Sequence, residues 1–224
     1  MVAMRVAELW RYPVKSMAGE RLERALVTPS GVAGDRVVHV ADARGRVVTA
    51  RTHPRLLAHQ GALDPDGEPL IDGRPWTSAE AASAVRAAAG DDARLVRWDG
   101  PERFDVLPLL VATDGAVAEF GRDIRRLRPN ILIGGVPGME ERGWPGGELH
   151  IGDVVIRLDS LRPRCPMTTV DPDTLARDPE VLRDIGRRFG GRLALNAEVV
   201  RPGPARIGDP VVFVTHRERG GLPR

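Results

Sequence analysis

The sequence is poor in several things at once. It has one cysteine in 224 residues, which excludes an internal disulfide and an intrinsic iron–sulfur cluster, since a cluster takes about four cysteines. No apolar run approaches the roughly 18 residues that span a bilayer. The opening stretch "MVAMRVAELWRYPVKS" lacks the apolar core of a signal peptide. A cytoplasmic protein with no membrane partner is therefore expected. Excess charge is also scarce: 33 Lys and Arg stand against 31 Asp and Glu, a net of +2. That balance gives no ground for expecting a nucleic-acid partner. There is no CxxC, no HExxH and no dense His/Cys cluster, which excludes a self-contained zinc site of familiar spacing. The five histidines, His39, His53, His59, His150 and His216, form no recognisable motif with the cysteine, so a Cys–His nucleophile pair is unsupported. Lysine occurs once, as Lys15, among 32 arginines. Either chance kept it in an arginine-rich chain, or a compact ammonium is required there instead of a planar fork.

What is present is ordinary for a folded domain, with 42% hydrophobic and 29% charged residues. The first sixty residues read as strands: "VAELWRYPV", then apolar runs at Ala25–Thr28, Val37–Val40 and Val47–Thr49, the last two separated by "DARG" as by a hairpin turn. A further strand is expected before the turn-rich "DPDGEPL". Thr77 and Glu80 make a capping-box pattern ahead of "SAEAASAVRAAAG", a helix stopped by Gly90. Composition breaks near residue 100. A second helix is expected from Asp114, with Val117 and Phe120 on its apolar face. A third follows Asp178 and Pro179, with Leu182, Ile185 and Phe189 on one face. "NILIGG" reads as a strand, "ELHIGDVVIRLDSL" as a hairpin, and "LALNAEVVRPGPARIGDPVVFV" as strand, turn, strand. "HIGDVVI" and "RIGDPVVFV" both set Gly-Asp between apolar positions, as a tight turn would.

The one thiol, Cys165, sits in "LRPRCPMTTVDPDT", residues 161–174. Most lone cysteines are small buried hydrophobes, and those have apolar neighbours. Here the neighbours are Arg162, Pro163, Arg164 and Pro166. Nearby cations favour the thiolate, which is either a nucleophile or a metal ligand. A single protein thiolate suffices for a metal only where a cofactor supplies the other ligands, and an anionic cofactor needs cationic clamps. Lys15 and Ser16 of "YPVKS", Arg36 of "GDRVV", Arg51 of "TART", and Arg128 and Asn130 of "RPNI" are candidates. Taken alone, each reads more readily as a solvated side chain. Asn130 and Asn196 are the two asparagines, both beside strand-like runs, and a half-buried amide must find partners in a heterocycle or a neighbouring loop.

Those residues carry a resemblance. "YPVKS…GDR…TARTHPRL" resembles the N-terminal β-barrel domain that precedes MOSC domains. "LRPNILI…ELHIGDVVIRL…RPRCPMTTVDPDT…LNAEVVRPGPARIGDPV" resembles the MOSC domain itself, the molybdenum-cofactor sulfurase C-terminal type. The order and combination are similar to those of the mitochondrial amidoxime-reducing components and their bacterial relatives. The resemblance implies an α+β fold, mostly β, with an N-terminal β-barrel-like domain (1–100) packed on a MOSC β-barrel (101–218). A few peripheral helices and a tail (219–224) complete it. It implies a molybdenum cofactor (Mo-molybdopterin) with Cys165 as metal ligand and catalytic residue. Lys15, Ser16, Arg36, Arg128 and Asn130 would hold the pterin and its phosphate, with Arg51 and Arg164 as further cofactor-binding residues. Asp171, with Asp173 beside it, is a candidate proton shuttle, or else simply forms the "DPD" turn. The implied activity is two-electron reduction of small N-hydroxylated compounds, with electrons from a separate reductase or ferredoxin-like carrier. The alternative is a cofactor-binding or sulfur-carrier protein using a Cys165 persulfide, and a third reading is a metal-free binding module with an inert thiol. The short stretches between Gly61 and Phe104 and at "GRDIRRLRPN" imply a reduced roof over the site compared with larger members.

Overall fold

A computed structural model describes residues 3–98 and 100–215; the expected tail and His216 lie outside them. Among the described residues the chain is mostly strand, with three α-helices and several short 3-10 turns. The main sheet has eight strands in the spatial order Val211–Val214, Glu148–Ile151, Val154–Pro163, Arg192–Arg201, Leu109–Thr113, Ile131–Gly134, Arg5–Arg11 and Glu20–Leu22. Only Leu109–Thr113 and Ile131–Gly134 run parallel; the other neighbours are antiparallel. Three smaller sheets are built from Val38–Ala41, Val47–Val48 and Arg94–Arg97, from Arg24–Thr28, Gly31–Val32 and Gly203–Arg206, and from Gly61–Leu63, Pro69–Ile71 and Arg74–Pro75.

The mostly-β, barrel-like architecture is as expected, but the barrel is not closed. The outer strands of the main sheet do not pair with each other. The seam between Val211–Val214 and Arg5–Arg11 is a single bridge, Arg5 to Pro210. Three backbone bonds accompany it: Val6 N–H to Asp209 O at 2.9 Å, Gly208 N–H to Val6 O at 2.8 Å and Val211 N–H to Met4 O at 3.0 Å. Pro210 has no N–H to continue a ladder, so the seam stays a short bridge and does not extend along the strands.

Two ladders tie the first hundred residues to the rest. Arg5–Arg11 pairs with Ile131–Gly134, and Arg24–Thr28 pairs with Gly203–Arg206. The main core therefore mixes Val6, Leu9 and Val27 with Val111, Ile131, Ile156 and Leu195. A second cluster, including Val14, Met17, Val38, Leu56 and Val85, belongs to the N-terminal half but is also touched by Met167. Met167 lies two residues past Cys165, so the thiol segment is pinned to the opposite half by packing.

The helices form largely where their end signals stand. Ala79–Ala89 is capped by Ser78, whose Oγ accepts from Ala81 N–H at 3.1 Å; the capping position lies one residue beyond Thr77. Ser78 has the extended backbone, φ −72° and ψ 156°, that points a capping oxygen at the third helical N–H. Thr113 caps Asp114–Phe120 and Asp178 caps Pro179–Phe189. The last helix buries Val181, Ile185 and Phe189, with Val181 taking the place expected of Leu182, because positions four apart stack on one face. That face packs on Phe120, Leu127 and Leu193. Of the two Gly-Asp turns, the first closes the hairpin of Glu148–Ile151 with Val154–Pro163, whereas the second links strands of different sheets. Gly152 and Gly208 both hold left-handed backbone, φ 55° and 90°.

Candidate functional site

One cleft collects residues from six separate segments. Lys15 and Ser16 follow the strand Arg5–Arg11, and Arg36 precedes Val38–Ala41. Arg51 follows Val47–Val48, while Arg128 and Asn130 lead into Ile131–Gly134. Asp105 stands in the connection before Leu109–Thr113, and Arg162 to Cys165 end the long strand Val154–Pro163. Strand ends fix backbone position while leaving side chains free to converge, which is why rigid scaffolds carry their chemistry there. The structure brings together Lys15, Ser16, Arg36, Arg51, Arg128, Asn130, Arg164 and Cys165 on the wall of this cleft.

Seven cationic side chains line the cleft, from Lys15, Arg36, Arg51, Arg126, Arg128, Arg162 and Arg164, against one carboxylate, Asp105. Lys15 Nζ donates to Asp105 Oδ1 and to Arg103 O, both at 2.8 Å. Arg51 Nη2 reaches Asp105 Oδ2 at 2.6 Å and Arg162 Nη2 reaches it at 3.3 Å. Burial works against Asp105's charge, but Lys15, Arg51 and Arg162 hold its carboxyl below the usual carboxylate range. Outside the wall, Asp35 pairs with Arg36 and Asp171 with Arg126. Arg128 and Arg164 have no carboxylate partner among the described residues. Arg128 lies over the Tyr12 ring, 4.2 Å from its centroid. Arg164 donates to the carbonyl of Leu127 at 2.7 Å and leaves its buried Nε without a partner. Burial lowers the pKa of each to about 10, so both stay charged near neutrality. Burial likewise lowers Lys15, against the pull of Asp105.

Cys165 opens the 3-10 turn Pro166–Thr169; its carbonyl accepts from Thr168 N–H at 3.0 Å and Thr168 Oγ1 at 2.8 Å. The thiol is free and half-buried. For Arg51, burial opposes the charge, but a hydrogen bond to Cys165 and the charge of Asp105 outweigh it and raise its pKa. Arg162 and Arg164 also lie close enough to feel a charge on this sulfur.

Backbone strain concentrates here. Ser16, Arg36 and Arg128 hold φ of 71°, 54° and 59°, a region where a side chain costs roughly 1–2 kcal/mol. Such conformations gather at ligand clamps. Two of them are held by backbone bonds: Arg36 N–H bonds Tyr12 O at 2.8 Å, and Arg128 N–H bonds Ile124 O at 3.2 Å.

Asn130 is fully buried and spends its amide mainly on backbone: Oδ1 accepts from Leu110 N–H at 3.1 Å and Nδ2 donates to Trp10 O at 3.4 Å. Asn196 lines the cleft too, between Arg162 and Ser160. Asp171 is not on the cleft wall. Its Oδ1 closes a turn on Thr174 N–H at 2.9 Å and Asp173 N–H at 3.1 Å, and Oδ2 takes Arg126 Nη2 at 2.7 Å. Asp173 is drawn outward to Arg125. Sequence reading missed Asp105, Arg126 and Arg162 as site residues. Arg126 and Arg162 stood two residues from residues that were chosen; Asp105 carried no local signal. Among the described residues no three His, Cys, Asp or Glu side chains gather to hold a metal, and no helix is long and apolar enough to cross a membrane.

Comparison with known proteins adds family information to this geometry. Residues 3–102 match the MOSC N-terminal beta barrel domain and residues 113–212 match the MOSC domain. The chain is 27% identical to mitochondrial amidoxime-reducing component 1 of Homo sapiens, over 93% of this chain and 82% of that protein. It is 25% identical to the molybdenum cofactor sulfurase of Drosophila grimshawi, over 91% of this chain but 34% of that protein. The crystal structure of the YUAD protein from Bacillus subtilis shares the fold, with a TM-score of 0.54 at 12% identity, covering 96% of this chain and 97% of that one.

Proposed function

The chain belongs to the MOSC-domain proteins, with a MOSC N-terminal β-barrel domain ahead of the MOSC domain, and from that premise we propose that it is a molybdenum-cofactor-dependent reductase of N-hydroxylated compounds. The observation that carries the reading is the company kept by Cys165: one thiol in a cleft whose cations outnumber its carboxylates, two of them without a carboxylate partner. The donor set fits the cofactor. A soft thiolate suits a metal held otherwise by sulfur, and since no three His, Cys, Asp or Glu side chains gather among the described residues, the remaining coordination in this reading falls to an organic chelator. The uncompensated arginines and the orphaned Arg164 Nε suit an anionic carrier.

In this reading Cys165 holds the metal. Arg128, Arg36, Lys15 and Arg51 hold the carrier's anionic groups, Ser16 adds a hydroxyl, and Arg164 orients the segment behind the thiol. Asn130 keeps the strand ends in register and offers its remaining amide hydrogen to a heterocycle. The bound cofactor supplies oxygen-transfer chemistry: cleavage of an N–O bond with two electrons and two protons, giving the amine and water. The cleft's share is orientation and electrostatics. In this reading the electrons come from an electron-donor protein. The relationship to a molybdenum cofactor sulfurase keeps one other reading alive, in which the same thiol carries a persulfide.

The test uses the full chain purified from a host that makes the cofactor. Molybdenum is measured on wild type and Cys165→Ala, alongside reduction of an N-hydroxylated base by an artificial electron donor. Metal and turnover in wild type, both lost in the variant, are expected. Metal without turnover in wild type favours a carrier, and no metal with a persulfide on Cys165 favours sulfur transfer.

A further inference from the structure

The cation cluster of the cleft is already occupied. Asp105 is its one lining carboxylate, and the polar contacts of that carboxylate run to Lys15, Arg51 and Arg162. Lys15 and Arg51 are the same side chains an anionic ligand would need. Asp105 is not anchored in a helix or strand. It follows the short turn Pro101–Arg103, and the next strand starts at Leu109. Besides the carboxylate, Lys15 Nζ bonds Arg103 O at 2.8 Å, Arg103 Nη2 bonds Ser30 O at 3.1 Å, and Arg36 lies over the Phe104 ring. Lys15 therefore grips the strap twice, once through Asp105 and once through the carbonyl two residues before it.

We propose that Asp105 is a built-in stand-in anion: its carboxylate fills the position that a phosphate of the ligand takes, and the phosphate displaces it. The proposal rests on reading the cleft as the site of an anionic ligand, and it adds a rule of selectivity. A monoanion such as a carboxylate offers Lys15, Arg51 and Arg162 no more charge than they already have. A phosphate monoester or diphosphate brings about two charges and three acceptor oxygens, enough to match all three cations at once. Asp105 thereby excludes carboxylate metabolites and admits phosphate-bearing ligands, and its release frees the strap.

The experiment takes the full chain from a host that cannot make the cofactor and titrates it calorimetrically with inorganic pyrophosphate and with acetate at fixed ionic strength. Wild type is expected to bind pyrophosphate and to give no heat with acetate. Asp105→Asn, which keeps the shape and removes the charge, is expected to bind pyrophosphate at least about tenfold more tightly, a change of about 1.4 kcal/mol, and to acquire affinity for acetate. Weaker pyrophosphate binding by Asp105→Asn overturns the proposal, because Asp105 would then be ordering the cations and not competing with the ligand. A second readout needs no variant: pyrophosphate should accelerate tryptic cleavage after Arg103 in wild type, followed by mass spectrometry, and unchanged or slower cleavage overturns displacement. If neither protein binds pyrophosphate, the reading of the cleft as an anion site is wrong and the stand-in role falls with it.

Discussion

Asn130 and Glu141 show what single buried polar groups do in this molecule. Asn130→Ala leaves Leu110 N–H without the acceptor it has at 3.1 Å, inside a fully buried site. The expected loss is about 1–3 kcal/mol, read as a lower urea midpoint with an unchanged slope, whether or not any cofactor is bound. Glu141 is buried, accepts from Ala194 N–H at 3.2 Å, and leaves Oε2 without a partner. Burial pushes its carboxyl above the ordinary range. The folded state then binds this proton more tightly than the unfolded chain. Its contribution is complete below the unfolded value of about 4.3, and it declines as pH rises toward the folded-state value. Other carboxylates slope the opposite way, so the informative quantity is a difference: between pH 4.5 and 7.5, Glu141→Gln should gain on wild type in thermal stability as pH rises. At this scale the cleft was legible wherever a short motif carries its own chemistry, as in "YPVKS" or "RPNI". Asp105 was not, because its partners come from residues 15, 51 and 162, and no local pattern encodes a meeting that only the fold arranges.

Helices and strands were readable where the signal is local, and they moved where it is not. The cap of Ala79–Ala89 separates two adjacent hydroxyls. Ser78→Ala should lower the melting temperature, for a loss of about 1 kcal/mol, whereas Thr77→Ala should leave it nearly unchanged; equal effects would contradict the observed cap. In Pro179–Phe189, Ile185→Ala opens a void between Leu127, Phe120 and Leu193 and should cost about 2–5 kcal/mol. Because Leu127 neighbours Arg126 and Arg128, that variant should also weaken anion binding in the cleft, which titration with pyrophosphate would register. The barrel-like fold was legible in the strand pattern; its open seam was not. Apolar runs and turns announce strands, but closure depends on whether the last edge finds the first, and here a proline stands at the meeting point.

At the scale of the whole molecule, the two ladders that join the first hundred residues to the rest make separate folding of that half unfavourable. A fragment of residues 1–100 loses the partner strands Ile131–Gly134 and Gly203–Arg206 and exposes Val6, Leu9 and Val27. It should lack dispersed amide resonances in an NMR spectrum, while the full chain melts in one calorimetric transition. The left-handed residues beside the thiol also bear on how such a protein evolves. The backbone at Ser16 and Arg128 would sit more comfortably as glycine, whereas Arg36→Gly would strip the buried Asp35 of its ion-pair partner; any of these glycines would remove a side chain from the wall of the proposed ligand site. A laboratory selection for heat tolerance alone should accumulate glycine at positions 16 and 128 and spare Arg36, yielding hardier descendants with a barer cleft.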